Sequence, residues 1–160
     1  IDEMREMLGS KSGAAGISGV GGDFRDIISE MKQGNKQAEL AFKTYSYYVK
    51  RYIGEYLAIL NGADAIVFVL GDMPAVETES IDLLVNAYHA GVGYALATAF
   101  EGNRGNPVLF ARRHFDALAN ITGDTGGRGV LHNDDEAALV ETGDRGVLID
   151  VDSLKDMEKL

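Results

Sequence analysis

The feature that most constrains this fold is a continuous apolar run at residues 65–70, rich in residues that favour β-structure. Such runs are typical of strands buried on both faces, as in the centre of a parallel sheet. Residues 35–60 before it keep apolar side chains at helical spacing and contain five of the seven tyrosines. Strand and helix patterns then alternate to the end of the chain. The sequence predicts a layered α/β fold, a mostly parallel sheet flanked by helices, with a long Tyr-rich helix before its central strand.

The shorter elements follow from periodicity, glycines and capping residues. Glycine-rich residues 13–22 are predicted to form a loop before a helix at 23–32. Ser153 is predicted to cap a last helix. The other predicted elements are helices at 2–8, 79–90, 114–120 and 127–133 and strands at 94–100, 107–111, 137–140 and 147–151.

The charge balance excludes several kinds of partner. The 160 residues carry a net charge of −10, which repels a phosphate backbone and an anionic membrane surface alike. We therefore expect no nucleic-acid partner and no membrane. The chain has no cysteine, which excludes disulfides and thiolate metal sites, and it shows no secretory signal pattern. The expected location is the cytoplasm.

Asp72 is the most informative polar residue, because it follows the best predicted strand and Gly71 lets the backbone turn there. Open α/β sheets bind ligands at this edge, where a carboxylate is well placed to hold Mg²⁺ on a nucleotide phosphate. The alternative is an aspartate that only caps a turn. Asp150 and Asp152 form a second acidic pair, on opposite faces of the predicted strand 147–151, so only one of them can share a site with Asp72.

Two further segments are candidate binding sites. Asn106 and Pro107 follow a glycine at the start of a strand, where a ligand could approach the backbone, although turn chemistry explains the pattern equally well. The glycine-rich loop before Asp23 is not a P-loop, and Asp23 is itself typical of a helix N-cap. Phe24 and Arg25 could instead stack on or fix a nucleobase, or Arg25 could simply be solvated.

Residues 4–68 resemble the carboxyl-terminal domain of acetate kinase, because several separated motifs occur in order at matching distances. In that family the Asp-Phe-Arg stretch lies against the adenosine part of the nucleotide. The resemblance therefore implies nucleotide binding by Asp23, Phe24 and Arg25. The matching motifs are residues 7–8, 11–13, 16–20, 23–27, 52–54 and 64–68.

Residues 63–160 resemble the carboxyl-terminal half of MobA-like nucleotidyltransferases, especially the molybdenum cofactor cytidylyltransferases. In that family the aspartate matching Asp72 binds the metal, and the position matching Asp152 supplies a second ligand. The resemblance thus implies a Mg²⁺ site at these two residues, although we expect no cofactor to be required. The matching motifs are residues 70–74, 102–110, 112–115, 123–124 and 146–152.

Neither resemblance brings a complete catalytic set. The catalytic arginine and aspartate of acetate kinase have no counterparts here. In the transferases a glycine-rich loop with Arg and Lys binds the triphosphate, and residues 1–62 contain no counterpart of this loop. The sequence thus predicts one chimeric α/β domain over 1–160, acetate-kinase-like over 1–68 and transferase-like over 69–160. Its favoured origin is engineered recombination, without selected catalytic activity.

Two alternatives remain open. One is a residual Mg²⁺-dependent nucleotidyltransferase of the molybdenum cofactor cytidylyltransferase type. The other is a module that binds nucleotide weakly or forms a homo-oligomer through its Tyr-rich helix. Metal-assisted transfer requires positive groups that offset the charge of the triphosphate at several points. The first alternative needs such groups, whereas a chain that only binds nucleotide does not.

Overall fold

The computed structural model describes residues 2–121, 126–152 and 156. The helix capped by Ser153 and the motif at 123–124 lie outside these residues. The chain divides into two compact units, Ile1–Gly62 and Ala63–Leu160. None of the described helices is long and apolar enough to cross a membrane.

The described part of the first unit is helical. Asp23 and Asn35 cap the helices that begin at Phe24 and Lys36, through side-chain oxygens that accept hydrogen bonds from backbone N–H groups two or three residues further on. The predicted helices at 2–8, 23–32 and 35–60 are therefore confirmed. The helices are α1 (Asp2–Ser10), α2 (Gly13–Ser18), α3 (Phe24–Lys32) and α4 (Lys36–Ile59).

The predicted loop over residues 13–22 is wrong for its first half, because α2 forms there. Ala14 and Ile17 on α2 pack against a cluster formed by Ile27, Ala38 and Ala41, all of which are buried. Burial of these small apolar side chains offsets the conformational cost of the glycines, which the local sequence alone does not reveal.

The second unit contains a four-stranded sheet in the order β1-β3-β2-β4. Short 3₁₀ turns follow β3 and β4. The elements are β1 (Ala65–Phe68), α5 (Thr78–His89), β2 (Ala95–Phe100), β3 (Asn103–Ala111), the turn Arg112–His114, α6 (Phe115–Ala119), α7 (Arg128–His132), β4 (Ala138–Glu141) and the turn Arg145–Leu148.

The strand directions correct one part of the predicted fold. The α/β class with flanking helices is confirmed. The mostly parallel sheet is confirmed only in part: β1, β2 and β4 run in the same direction, but β3 is antiparallel to its neighbours β1 and β2, so β2 and β4 are the parallel neighbours among the described strands. A tight turn at Glu101 and Gly102, both with positive φ, reverses the chain and makes β2 and β3 a hairpin. As a result β3 takes the inner position and β1 lies at an edge of the described sheet, not at its centre.

Helices cover the two faces of this sheet with separate cores. On one face Leu84 of α5 packs with Leu96 and Leu109. On the other face, Phe110 of β3 packs in a cluster with Leu131 of α7 and with small residues of β2. Adjacent strand residues point to opposite faces, so β2 and β3 supply both cores.

The predicted strand at 147–151 is replaced by the 3₁₀ turn Arg145–Leu148 and an irregular segment. Alternation along a strand therefore does not apply to Asp150 and Asp152, and both are exposed. The reason is that Asp144 accepts a hydrogen bond from the N–H of Gly146 and starts a turn.

Candidate functional site

Asp72 and Asp152 lie on two backbone segments that are joined just beyond the carboxyl end of β1. Asp72 is exposed in the turn after this strand, and its carbonyl oxygen accepts a hydrogen bond from the N–H of Val151 at 2.8 Å. Val151 immediately precedes Asp152, which is also exposed. The structure therefore brings together the backbones that carry the two predicted metal ligands.

Two glycines allow these segments to approach closely. A Cβ atom on Gly146 would lie well inside van der Waals distance of the Ala75 carbonyl oxygen. A Cβ atom on Gly105 would clash in the same way with the Val147 carbonyl oxygen. The turn at residues 145–148 is thus fitted against both the loop after Asp72 and the start of β3, where only glycine has room.

Asp144 fastens the same turn to α5. Its carboxylate accepts hydrogen bonds from the N–H of Glu77 (2.9 Å), the hydroxyl of Ser80 (2.8 Å) and the N–H of Gly146 (2.6 Å). Burial by itself would raise the pKa of Asp144, but these three donors outweigh it and hold the pKa below its usual range. Sequence reasoning missed Asp144, although an aspartate two residues before a glycine is a turn signal that could have found it.

Mg²⁺ suits the donor set at Asp72 and Asp152. The described residues contain no group of three or more His, Asp or Glu side chains that could hold a metal ion. Mg²⁺, however, is commonly bound through one or two carboxylates, with water and substrate phosphates completing its six ligands. Asp72 and Asp152 supply two exposed carboxylates on adjoining segments, and a metal site at these residues stays a prediction.

Asn106 and Pro107 have different surroundings. Asn106 lines a cavity of about 650 Å³ in the second unit, together with Phe68 and Leu70. Pro107 is fully buried, and its carbonyl oxygen accepts a hydrogen bond from the Thr98 hydroxyl at 3.1 Å. Asn106 is therefore open to a ligand, whereas the Pro107 side chain packs inside the unit, and its predicted contact with substrate stays a prediction.

The same cavity contains two arginines that sequence reasoning missed, Arg104 of β3 and Arg128 of α7. Arg104 could have been found, because it alternates with Asn106 and Val108 along β3 and so points to the same face. Arg128 carried no comparable signal, because a five-residue helix does not show which face it buries.

In the first unit, Asp23, Phe24 and Arg25 interact with their own neighbours. The Arg25 guanidinium lies 2.7 Å from an Asp23 carboxylate oxygen, and this hydrogen bond, helped by the Arg25 N–H, lowers the pKa of Asp23 to about 2. The Phe24 ring lies 4.4 Å from that of Tyr45, centre to centre. These contacts are those of a helix cap and of two partly exposed aromatic rings, and the predicted role in nucleotide binding stays a prediction.

A second charge cluster ties the end of β3 to the loop before β4. The Arg113 guanidinium lies 4.0 Å above the Tyr94 ring and forms ion pairs with Asp134 and Glu136. Nε2 of His114 lies 2.9 Å from an Asp134 oxygen. Burial would raise the pKa of Asp134, but the N–H of Glu136 and the Arg113 side chain lower it below its usual range. The cluster is internally paired.

Comparison with known proteins assigns both halves. The model of the acetokinase family matches residues 1–84, and that of the MobA-like NTP transferase domain matches residues 53–138. The chain belongs to both families. Their matches overlap at residues 53–84, a segment that contains the end of α4, β1 and Asp72. The boundary between the two compact units, after Gly62, falls within this overlap.

The relatives cover parts of the chain. The acetate kinase of Methanosarcina barkeri is 54% identical over 69 residues, 43% of this chain and 17% of that protein. The acetate kinase of Dictyoglomus turgidum is 55% identical over the same length, again with 17% of that protein covered. The crystal structure of Rv0371c from Mycobacterium tuberculosis H37Rv matches 61% of this chain and 50% of its own, with 26% identity and a TM-score of 0.50. The chain therefore spans half or less of the length of each of these proteins.

Proposed function

We propose that this composite chain binds Mg²⁺ and a small ligand in the manner of the carboxyl-terminal half of a nucleotidyltransferase, without turnover of its own. The observation that carries the proposal is the hydrogen bond between the Val151 N–H and the Asp72 carbonyl, which joins the segments bearing the two exposed carboxylates. Asp72 and Asp152 would hold Mg²⁺, the metal generally used in both families. Asn106, whose amide is both donor and acceptor, would orient the ligand from the adjacent cavity.

The absence of turnover follows from electrostatics. When bound, Mg²⁺ offsets charge on a phosphate group. Nucleotidyl transfer also requires positive groups around the rest of the triphosphate. Residues 1–62 follow the acetokinase pattern, and their glycine-rich stretch at 13–22 contains no basic residue. We therefore expect metal and ligand binding with no release of pyrophosphate.

Calorimetric titration with Mg²⁺ tests the metal site. Asp72→Asn and Asp152→Asn should each weaken binding about tenfold or more, because each removes one of two charged ligands. Asp135→Asn is the matched control: it removes the same charge from an exposed position in the same unit and should leave the affinity unchanged. Equal affinities for all four proteins would refute the metal site.

A pyrophosphate-release assay with Mg–CTP and Mg–ATP tests the absence of turnover. We expect no release above the background of protein-free buffer. Turnover that Asp72→Asn abolishes would contradict this part of the proposal and favour the residual nucleotidyltransferase instead. An engineered origin of the join likewise stays a prediction, which an intact genomic reading frame encoding both segments would contradict.

A second candidate function is self-association through α4. Nine large apolar side chains between Tyr45 and Leu60 are exposed, with Ile59 at 75% of its full area. Exposed apolar surface on this scale is typical of interfaces. Light scattering should then show a dimer that Tyr48→Glu together with Tyr52→Glu dissociates. A monomer at all concentrations would exclude this candidate.

A further inference from the structure

We propose that the cavity between β1, β3 and α7 binds a small anion with a flat apolar body, such as an aryl phosphate, and that Arg104 and Arg128 hold its charged group. We name this space the arginine cavity; it is lined by Phe68, Arg104, Asn106, Phe110 and Arg128 among others. The inference rests on the proposed function for its link to nucleotide chemistry, and it deepens it by naming the ligand class. Its test, however, requires no metal.

The first argument is charge. No carboxylate of the described residues lies within ion-pair distance of Arg104 or Arg128, whereas Arg113 in the same unit pairs with two. The chain as a whole carries a net charge of −10. Two unpaired guanidinium groups in one cavity repel each other, and an anion removes that repulsion. Phosphate and carboxylate match the fork of a guanidinium, which can donate two parallel hydrogen bonds.

The second argument is the position of the two arginines. Both also line a neighbouring space of about 500 Å³, beside Leu131 and Leu139. Both residues are exposed, and their side chains border two adjoining hollows in the surface. An anion bound there would be partly shielded from water, which strengthens its interaction with the guanidinium groups.

The third argument is the apolar wall. Phe68 is 42% exposed and Leu70 44%, although both belong to the continuous apolar run at residues 65–70. The Phe68 ring lies 6.0 Å from that of Phe110 and nearly perpendicular to it, so an aromatic ligand would extend an existing pair. Asn106 adds an amide beside this wall. A volume of about 650 Å³ suits a small organic molecule.

These observations together specify the ligand better than either charge or apolar area does alone. An inorganic anion would use the arginines but leave the wall in water. A neutral aromatic molecule would cover the wall but leave the arginines unpaired. An aromatic ring that carries a phosphate satisfies both.

Calorimetry with phenyl phosphate and inorganic phosphate in EDTA tests this assignment. Phenyl phosphate should bind more tightly, and Arg104→Gln and Arg128→Gln should each weaken it about tenfold, the usual effect of losing one hydrogen bond to a charged group. Phe68→Ala should weaken phenyl phosphate several-fold and leave inorganic phosphate unchanged. Lys50→Gln, which removes one positive charge from exposed α4, is the matched control and should have no effect.

Three results would overturn the proposal: equal affinity for the two ligands, an effect of Lys50→Gln as large as that of Arg104→Gln, or no effect of either arginine substitution. Circular dichroism and melting temperature establish that each variant is folded. Asp135→Asn, which removes one charge from an exposed position outside both proposed sites, should bind phenyl phosphate normally. If the protein binds phenyl phosphate but not Mg²⁺, the arginine cavity is supported and the metal site is refuted. If it binds Mg²⁺ but not phenyl phosphate, the metal site is supported and the arginine cavity is refuted.

Discussion

Replacing Asp144 should destabilise the second unit more than any other single change of charge there. The Asp144 carboxylate accepts three hydrogen bonds, from Glu77, Ser80 and Gly146, and only 7% of the residue is exposed. A hydrogen bond to a charged group contributes about 1.5–3 kcal/mol. Asparagine keeps one acceptor oxygen but turns an NH₂ group toward other donors. Asp144→Asn should therefore cost about 2–4 kcal/mol, or roughly 10–20 °C in melting temperature for a domain of about 100 residues.

The effect should depend on pH in a defined direction. Because the pKa of Asp144 is lower in the folded state, its contribution is complete above the unfolded pKa of about 3.9 and is lost as the pH falls through the folded value. The difference in unfolding free energy between the native chain and Asp144→Asn should be constant from about pH 7 to 5 and shrink below about pH 4.

Amide hydrogen exchange in β2, at residues such as Leu96, reports unfolding of this unit specifically, because these residues are buried in its sheet. Asp150→Asn is the matched control, since Asp150 is exposed on the same segment. Equal amide exchange rates in β2 for Asp144→Asn and Asp150→Asn would contradict the stabilising role of the Asp144 hydrogen bonds. So would a difference in unfolding free energy between the native chain and Asp144→Asn that does not shrink in acid.

Three further substitutions test the packing around the site by urea unfolding. Gly105→Ala should cost about 3 kcal/mol because its Cβ would meet a backbone oxygen, whereas Gly129→Ala, with open space around it, should cost nothing. Leu84→Ala should cost about 2–5 kcal/mol because Leu84 is completely buried, whereas Leu83→Ala, 43% exposed in the native chain, should cost far less. Thr98→Val should cost about 1 kcal/mol by removing a buried hydroxyl that donates to a carbonyl of β3. Equal effects within either pair, or a neutral Thr98→Val, would contradict the packing described.

The helices could be predicted from the sequence because their signals are local. α4 begins after a capping Asn35, whose side chain accepts hydrogen bonds from two N–H groups, and it keeps its periodicity to Ile59. The strands β2 and β3 could likewise be placed because a glycine turn separates two runs of β-forming residues. Each signal requires only residues a few positions apart, so no knowledge of tertiary structure is needed.

The rest depends on contacts between distant segments. α2 is stable because it packs on α3 and α4, and Asp144 accepts hydrogen bonds from Glu77 and Ser80 at the start of α5, more than 60 residues earlier in the chain. Asp72 could be identified as a strand-end carboxylate, but its neighbour in space, Val151, could not. Arg128 entered the cavity through the packing of a five-residue helix. None of these contacts between distant residues produces a periodic pattern in the sequence, so none could be predicted from it.

β1 shows why a composite chain is read incorrectly by pattern alone. Residues 65–70 keep an apolar sequence suited to burial on both faces and to neighbours on both edges. In the described sheet β1 has one neighbour, β3, and Phe68, Val69 and Leu70 are 42%, 53% and 44% exposed. The apolar run alone favours burial on both faces and pairing on both edges, whereas the exposure of its last residues depends on which other elements of the chain pack beside it. This difference falls within the segment that both family matches share, and the arginine cavity lies beside the end of β1.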